Sequence, residues 1–116
     1  MKRLIEIRAY KLKPAAMQAF HAAVVSTALP MLIRWGTDVV AFGPGHEADT
    51  YFLVRAYDDL ADLNRRQDAF YGSDEWRGGP REAIVAHIES YVSTVLHLSS
   101  ESVEDLRRSN LSATTS

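Results

Sequence analysis

Two runs, Leu4-Ile5-Glu6-Ile7-Arg8-Ala9-Tyr10 and Tyr51-Phe52-Leu53-Val54-Arg55-Ala56-Tyr57, each alternate small or apolar residues with large polar ones. Alternation of period two belongs to strands, because successive side chains of an extended chain point to opposite faces. One face then carries Ile5, Ile7 and Ala9 with Phe52, Val54 and Ala56, an ordinary core. The other carries Glu6, Arg8 and Tyr10 with Tyr51, Arg55 and Tyr57. That second set is too aromatic for plain solvent exposure and too charged for a dry core. It reads as the wall of a wet pocket or of a subunit interface.

Around these strands the chain divides into two strand-helix-strand halves. The first strand is predicted over about 3–12, and Pro14 is expected in the first turn of a helix ending near Ala28, with Met17, Phe20, Val24 and Ala28 as its buried stripe. Pro30 ends or kinks that helix, and a short further turn stops at Gly36. A second strand over 38–43 meets the third, over 50–57, through the turn-rich loop Gly43-Pro44-Gly45-His46-Glu47-Ala48-Asp49. Asp58 or Asp59 caps a helix through about Phe70, with Leu60, Leu63, Gln67 and Phe70 on one side, and Ser73 caps a short turn holding Trp76. After Gly78-Gly79-Pro80 a last helix presents Ile84 and Ile88, and a fourth strand over about 89–98 places Val92, Leu96 and Leu98 on one face and Tyr91, Ser93, Val95 and His97 on the other. This is the split βαβ pattern (βαββαβ) of an α+β, ferredoxin-like domain with a four-stranded antiparallel sheet. It is assigned to residues 1–98. Residues 99–116 form a serine-rich C-terminal tail in which Val103 and Leu106 can make one turn of helix and the part beyond Arg108 is expected to be loosely held.

At 116 residues the chain is one domain that can bury about two-thirds of its unfolded surface. With no cysteine, thiolate chemistry, disulfides and cysteine-held metals are excluded, in keeping with a cytoplasmic setting. A net charge of -2 with both signs mixed gives no footprint for nucleic acid or an anionic membrane. The start, Met1-Lys2-Arg3-Leu4-Ile5-Glu6, is not expected to be a signal peptide, and no run reaches membrane-spanning length.

With both helices on one side of such a sheet, the other side needs a cover. That open face is expected to carry Tyr10, Leu12, Tyr51, Leu53, Tyr57, Tyr91 and Val95, more apolar and aromatic area than a monomer usually leaves exposed. A second copy related by a two-fold axis covers it with one self-complementary surface. The expected assembly is a homodimer whose facing sheets enclose a cavity, a dimeric α/β barrel.

The opening Ile5-Glu6-Ile7-Arg8-Ala9-Tyr10-Lys11-Leu12-Lys13-Pro14, the Phe20, Pro30 and Gly36 that follow, the Leu53-to-Tyr57 strand with Asp58-Asp59-Leu60, and Phe70-Tyr71-Gly72-Ser73-Asp74-Glu75-Trp76 together resemble the NIPSNAP family. The likeness runs from Leu4 to about Leu98 and rests on the order and spacing of these pieces. It implies a dimeric, ferredoxin-like α+β barrel and little about chemistry, since the family has no generally established reaction. The wider barrel group ranges from cofactor-free monooxygenases to isomerases and haem-binding enzymes. One departure is Ala15, where the family often has glycine after the proline; a first helical turn is expected to tolerate it.

Arg55, always charged, is the first candidate to hold a carboxylate, enolate or phenolate through a two-pronged contact, and the alternative is an internal pair with Glu6 on the neighbouring strand. Glu6 is the candidate general base if burial raises its pKa, with the adjacent Arg55 opposing that rise. Arg8 is expected in a salt bridge at the dimer seam. His97 is the histidine best placed for proton transfer or haem ligation, whereas His21 reads as a satisfied helix-edge residue and His46 as solvated. Tyr10, Tyr51, Tyr57 and Tyr91 are candidates to orient or stack on a ligand, and Tyr71 and Trp76 to roof the cavity mouth. No histidine has metal-site spacing, and neither a phosphate loop nor a serine elbow is present, so no cofactor and no metal are assigned. Two functions remain open: a cavity that binds, and in an enzyme converts, a small anionic or aromatic molecule without a metal or cofactor, and a non-catalytic structural or protein-interaction module.

Overall fold

The computed structural model describes residues 2–115, with side chains described for 3–110. Four strands, β1 (Lys2–Leu12), β2 (Asp38–Pro44), β3 (Thr50–Tyr57) and β4 (Ile88–Ser99), form one antiparallel sheet in the order β2-β3-β1-β4. Central strands β1 and β3 pair from Leu4 opposite Tyr57 to Tyr10 opposite Tyr51, so the two alternating runs lie against each other with their patterns matched. β4 joins the other edge of β1 with Tyr91 opposite Tyr10 and His97 opposite Leu4.

The first helical segment runs without interruption through α1 (Met17–Ala23), a π-helical turn (Val24–Ala28) and α2 (Leu29–Arg34). Pro30 does not end it. The Leu29 N–H donates to the Val24 carbonyl, five residues back, and the proline that follows has no N–H to place. Trp35 closes the helix and Gly36, at φ +83°, turns the chain: the Gly36 N–H donates to Ile33 and the Thr37 N–H to Leu32, the paired bonds of a Schellman end. The start of the helix also differs from expectation. Pro14 lies in a turn closed by the Ala16 N–H donating to the Lys13 carbonyl, and Ala15 takes φ +63° within it. Ala15 is thus in a left-handed turn position rather than in a first helical turn.

Helix α3 (Leu60–Tyr71) is capped by Asp59, whose carboxylate accepts from the Asp62 N–H at 2.8 Å, while the Asp62 carboxylate accepts from the Asp58 N–H at 3.0 Å. Helix α4 (Asp74–Arg77) is capped by Ser73, and α5 (Arg81–Val85) leads into β4. Leu60, expected on the buried side of α3, is exposed, whereas Leu63 and Phe70 are buried.

The two faces of the sheet are covered in the reverse of the expected way. The main core joins Leu12, Tyr51 and Leu53 to Phe20, Val24, Ala28, Met31, Leu32, Phe70, Trp76 and Ile84, so the helices from α1 to α5 pack on the polar-aromatic face. Tyr10, Leu12, Tyr51, Leu53 and Tyr57 therefore do not form an open face; of the set predicted for it, only Tyr91 and Val95 are exposed. The opposite face carries Ile5, Val54 and Ala56, and part of it is covered by α6 (Ser100–Thr115), which inserts Val103 and Leu106. Arg107 of α6 pairs with Asp38, and the Asn110 side chain bonds both the N–H and the carbonyl of Phe42. The segment predicted as a serine-rich tail with one turn of helix is a full helix up to Thr115; the side chains of residues 111–116 lie outside the described residues. Among the described residues no helix is long and apolar enough to cross a membrane.

Candidate functional site

The strand registers sort the polar-aromatic face into layers: Tyr57-Leu4-His97, then Arg55-Glu6-Val95, Leu53-Arg8-Ser93 and Tyr51-Tyr10-Tyr91. Alternation along β1 sends Glu6, Arg8 and Tyr10 toward α3 and α4, and those helices return Gln67, Tyr71 and Trp76 toward the sheet. Between them lies a cleft of about 600 Å³ whose walls include Arg8, Tyr10, Gln67, Tyr71, Trp76 and Tyr91, with Asp68 and Arg81 also on its wall.

The floor of the cleft is an ionic cluster. Arg55 is almost wholly buried, and its Nη2 donates to Glu6 Oε1 at 2.6 Å while its Nη1 donates to the Tyr71 hydroxyl at 2.7 Å. Arg8 donates through Nη2 to Glu6 Oε2 at 3.0 Å, through Nη1 to the same Tyr71 oxygen at 3.3 Å and through Nε to Ser93 Oγ at 3.2 Å. Gln67 donates to Glu6 Oε1 and Ser93 to Glu6 Oε2, so the carboxylate accepts four hydrogen bonds, two on each oxygen. Burial alone would raise the Glu6 pKa, but the Arg55 and Arg8 charges and the Arg55 and Ser93 hydrogen bonds outweigh it and hold the carboxyl below its ordinary value. A carboxylate saturated in this way is held in its ionised form, which opposes the general-base role considered from sequence.

Two guanidiniums against one carboxylate leave the cluster with one excess positive charge. The Arg8 guanidinium stands on the cleft wall, 4.7 Å from the Tyr91 ring centroid. The buried Arg55 Nε–H has no hydrogen-bond partner among the described residues. The Tyr71 oxygen accepts from both arginines and its own proton has no protein acceptor among the described residues, which leaves the hydroxyl free to donate at the cleft wall.

The other predicted residues divide between the cleft and the core. Tyr10, Tyr71, Trp76 and Tyr91 line the cleft, and Trp76 packs on Phe70 and Tyr71 with ring centroids 5.2 and 5.5 Å away. Burial pushes the Tyr10 phenol up to about 12, so it stays protonated. Tyr51 is buried and bonded to His21 Nδ1 at 2.7 Å, which also gives His21 the satisfied helix-edge role expected of it. Tyr57 is buried and accepts from Gln67 at 3.2 Å. Burial raises the phenol pKa of both Tyr51 and Tyr57, whose hydroxyls are engaged in these contacts. His97 is exposed in the outermost layer and lines neither the cleft nor the core, so it is not brought to the site. Among the described residues no three histidine or carboxylate side chains converge as metal ligands would.

Arg8, assigned from sequence to a dimer seam, is a central member of this site, although its place between Glu6 and Tyr10 on the same face already put it there. Gln67 was placed only on a helix side shared with Leu60, Leu63 and Phe70, and its polar side chain on that side was the signal that could have found it. Alternation put Ser93 on one face with Tyr91 but not beside Glu6, and Arg81 and the cleft wall from α5 carry no local signal, because the long-range pairing of β4 and the packing of short helices bring them in.

No protein-family model and no curated protein matches the chain. Solved structures do. A NIPSNAP family protein of unknown function from Agrobacterium tumefaciens superposes with a TM-score of 0.77 at 18% identity, covering 84% of this chain and 88% of the other. An uncharacterized NIPSNAP-like domain protein from Burkholderia xenovorans gives 0.74 at 18% identity, over 81% and 83%. A Bordetella bronchiseptica protein provisionally named an antibiotic biosynthesis monooxygenase gives 0.63 at 22% identity, over 84% and 96%. With its four-stranded antiparallel sheet and this helix arrangement, the chain has the ferredoxin-like α+β fold of the NIPSNAP family proteins.

Proposed function

We propose that the protein binds a small organic anion, a carboxylate, enolate or phenolate, in the cleft between its own sheet and helices. The observation that carries this reading is the excess positive charge of the Glu6–Arg55–Arg8 cluster, presented to the cleft by a half-buried Arg8 and by the free Tyr71 hydroxyl beside it. A guanidinium and a phenol side by side on one wall match an oxyanion, and the exposed Tyr91 ring at the same wall can contact an aromatic ligand. The name carried by the Bordetella relative, whose fold is shared, is compatible with a small organic substrate in such a cleft. With Glu6 saturated, binding is better supported than proton abstraction by this carboxylate.

The second reading, a structural or protein-interaction module, draws on the same cluster: Glu6, Arg55, Gln67 and Tyr71 tie α3 to the central strands whether or not a ligand is present. We further propose a homodimer formed through the face opposite the cleft, with the protein working in the cytoplasm.

Titration of benzoate followed by chemical shifts tests the first reading. Arg8→Gln removes the excess charge while leaving the Glu6–Arg55 pair, and binding is expected to weaken about tenfold or more, the worth of a charge-assisted hydrogen bond. Unchanged affinity in that variant would sink the assignment and leave the structural module.

A further inference from the structure

Behind the cleft, a second, smaller cavity of about 40 Å³ sits between the sheet and the first helical segment. Tyr10, Tyr71, Trp76 and Ile84 belong to the walls of both, so the two spaces adjoin. The charged groups stop at this partition. The inner cavity is walled by Phe20, Val24, Ala28, Leu32, Leu53 and Phe70, with no charged side chain on it.

Its roof is the π-helical turn. Val24 and Ala28, the first and last residues of that turn, both face the cavity, and Ala28 brings only a methyl group to a position where a larger apolar residue would close the space. π turns are uncommon and recur at functional sites, because the extra residue changes where the next side chains point. A packed core leaves few voids of this size. Here the void adjoins, across shared wall residues, a cleft that carries Arg8 on its wall.

Resting on the oxyanion reading above, we infer that the ligand is an organic anion with a short alkyl end, its charged group held by Arg8 and Tyr71 and its alkyl end passing the Tyr10–Tyr71 partition into the pouch beneath the π turn. The volume keeps that end short: a cavity of about 40 Å³ has room only for a small apolar group. The pouch would thus select on the end of the ligand, while the arginine cluster selects on its charge.

A series of straight-chain carboxylates from acetate to decanoate, titrated against the whole protein by chemical shifts, tests this. Affinity is expected to rise about fourfold per added methylene up to a chain length at which the pouch is full, and then to stop rising. Ala28→Leu fills the pouch and should move that break to a shorter chain; Val24→Ala enlarges the pouch and should move it to a longer one. If only one of the two variants folds, the direction of its shift decides. A break that stays put in the folded variants, or no break at all, overturns the pouch while leaving the anion site standing. Failure of every carboxylate to bind the wild-type protein overturns both readings together.

Discussion

Glu6 shows how one side chain can reverse its reading once its partners are known. Alternation placed it correctly on one face with Arg8 and Arg55, and its pairing with Arg55 was one of the two roles weighed. The donors Gln67 and Ser93 come from positions far along the chain, and alternation on one strand contains no information about them. Glu6→Gln leaves two guanidiniums in the cluster with no carboxylate, and breaking a buried pair in this way costs on the order of 3–5 kcal/mol, measurable by urea denaturation. Because the folded-state pKa is depressed, the stability contributed by Glu6 is complete above the unfolded value near pH 4.3 and is lost as pH falls through the lower folded value. The wild-type stability curve should therefore drop through that acid window, and Glu6→Gln should flatten this part of it. Ala15 yields the opposite sign. At φ +63° in a turn closed by Ala16 and Lys13, it pays the left-handed penalty that glycine avoids, so Ala15→Gly is expected to raise stability by about 1 kcal/mol. A melting temperature unchanged or lowered would count against that view of the turn.

At the level of elements, strand boundaries and pairing were legible because they depend on local alternation and turn chemistry: β3 was placed at its observed limits and β1 within a residue. The faces were not legible. Both faces of the central strands carry enough apolar surface to receive amphipathic helices, and the charged residues seemed to argue for the wet side. The structure resolves this by pairing the Glu6 carboxylate with Arg55 and Arg8, which makes burial of Glu6 and Arg55 under α3 tolerable, while Tyr10, Tyr51, Leu53 and Leu12 provide the apolar contact. The position of α3 over this cluster depends on a well-formed start to that helix. Asp59 supplies it, and Asp59→Ala should cost about 1 kcal/mol while Asp59→Ser retains most of the cap. A matching loss in both variants, read by thermal unfolding, would mean that the Asp59 carboxylate contributes by its charge and not by the bond to Asp62.

On the scale of the whole molecule, the inversion of the faces moves the proposed ligand site from between two subunits to within one, and leaves the dimer to be argued from different residues. The face away from the cleft is only partly covered by α6: Ile7 and Phe52 are half-buried, Ala9 and Thr94 are exposed, and Val92 is 68% exposed. β4 is an edge strand of the sheet, so this apolar strip, which ends at Val92, lies beside an unpaired strand edge. Soluble proteins usually shield such an edge, and a second copy laid across this face would bury the strip from both sides with one self-complementary contact. The proposed dimer thus predicts that light scattering during gel filtration gives twice the chain mass at micromolar concentration. Val92→Glu places a charge at the centre of the strip and should shift the population to monomer. Benzoate binding in that variant then separates two arrangements: affinity held in the monomer is expected for a cleft built from one chain, whereas loss of binding together with the dimer would mean that the partner completes the site.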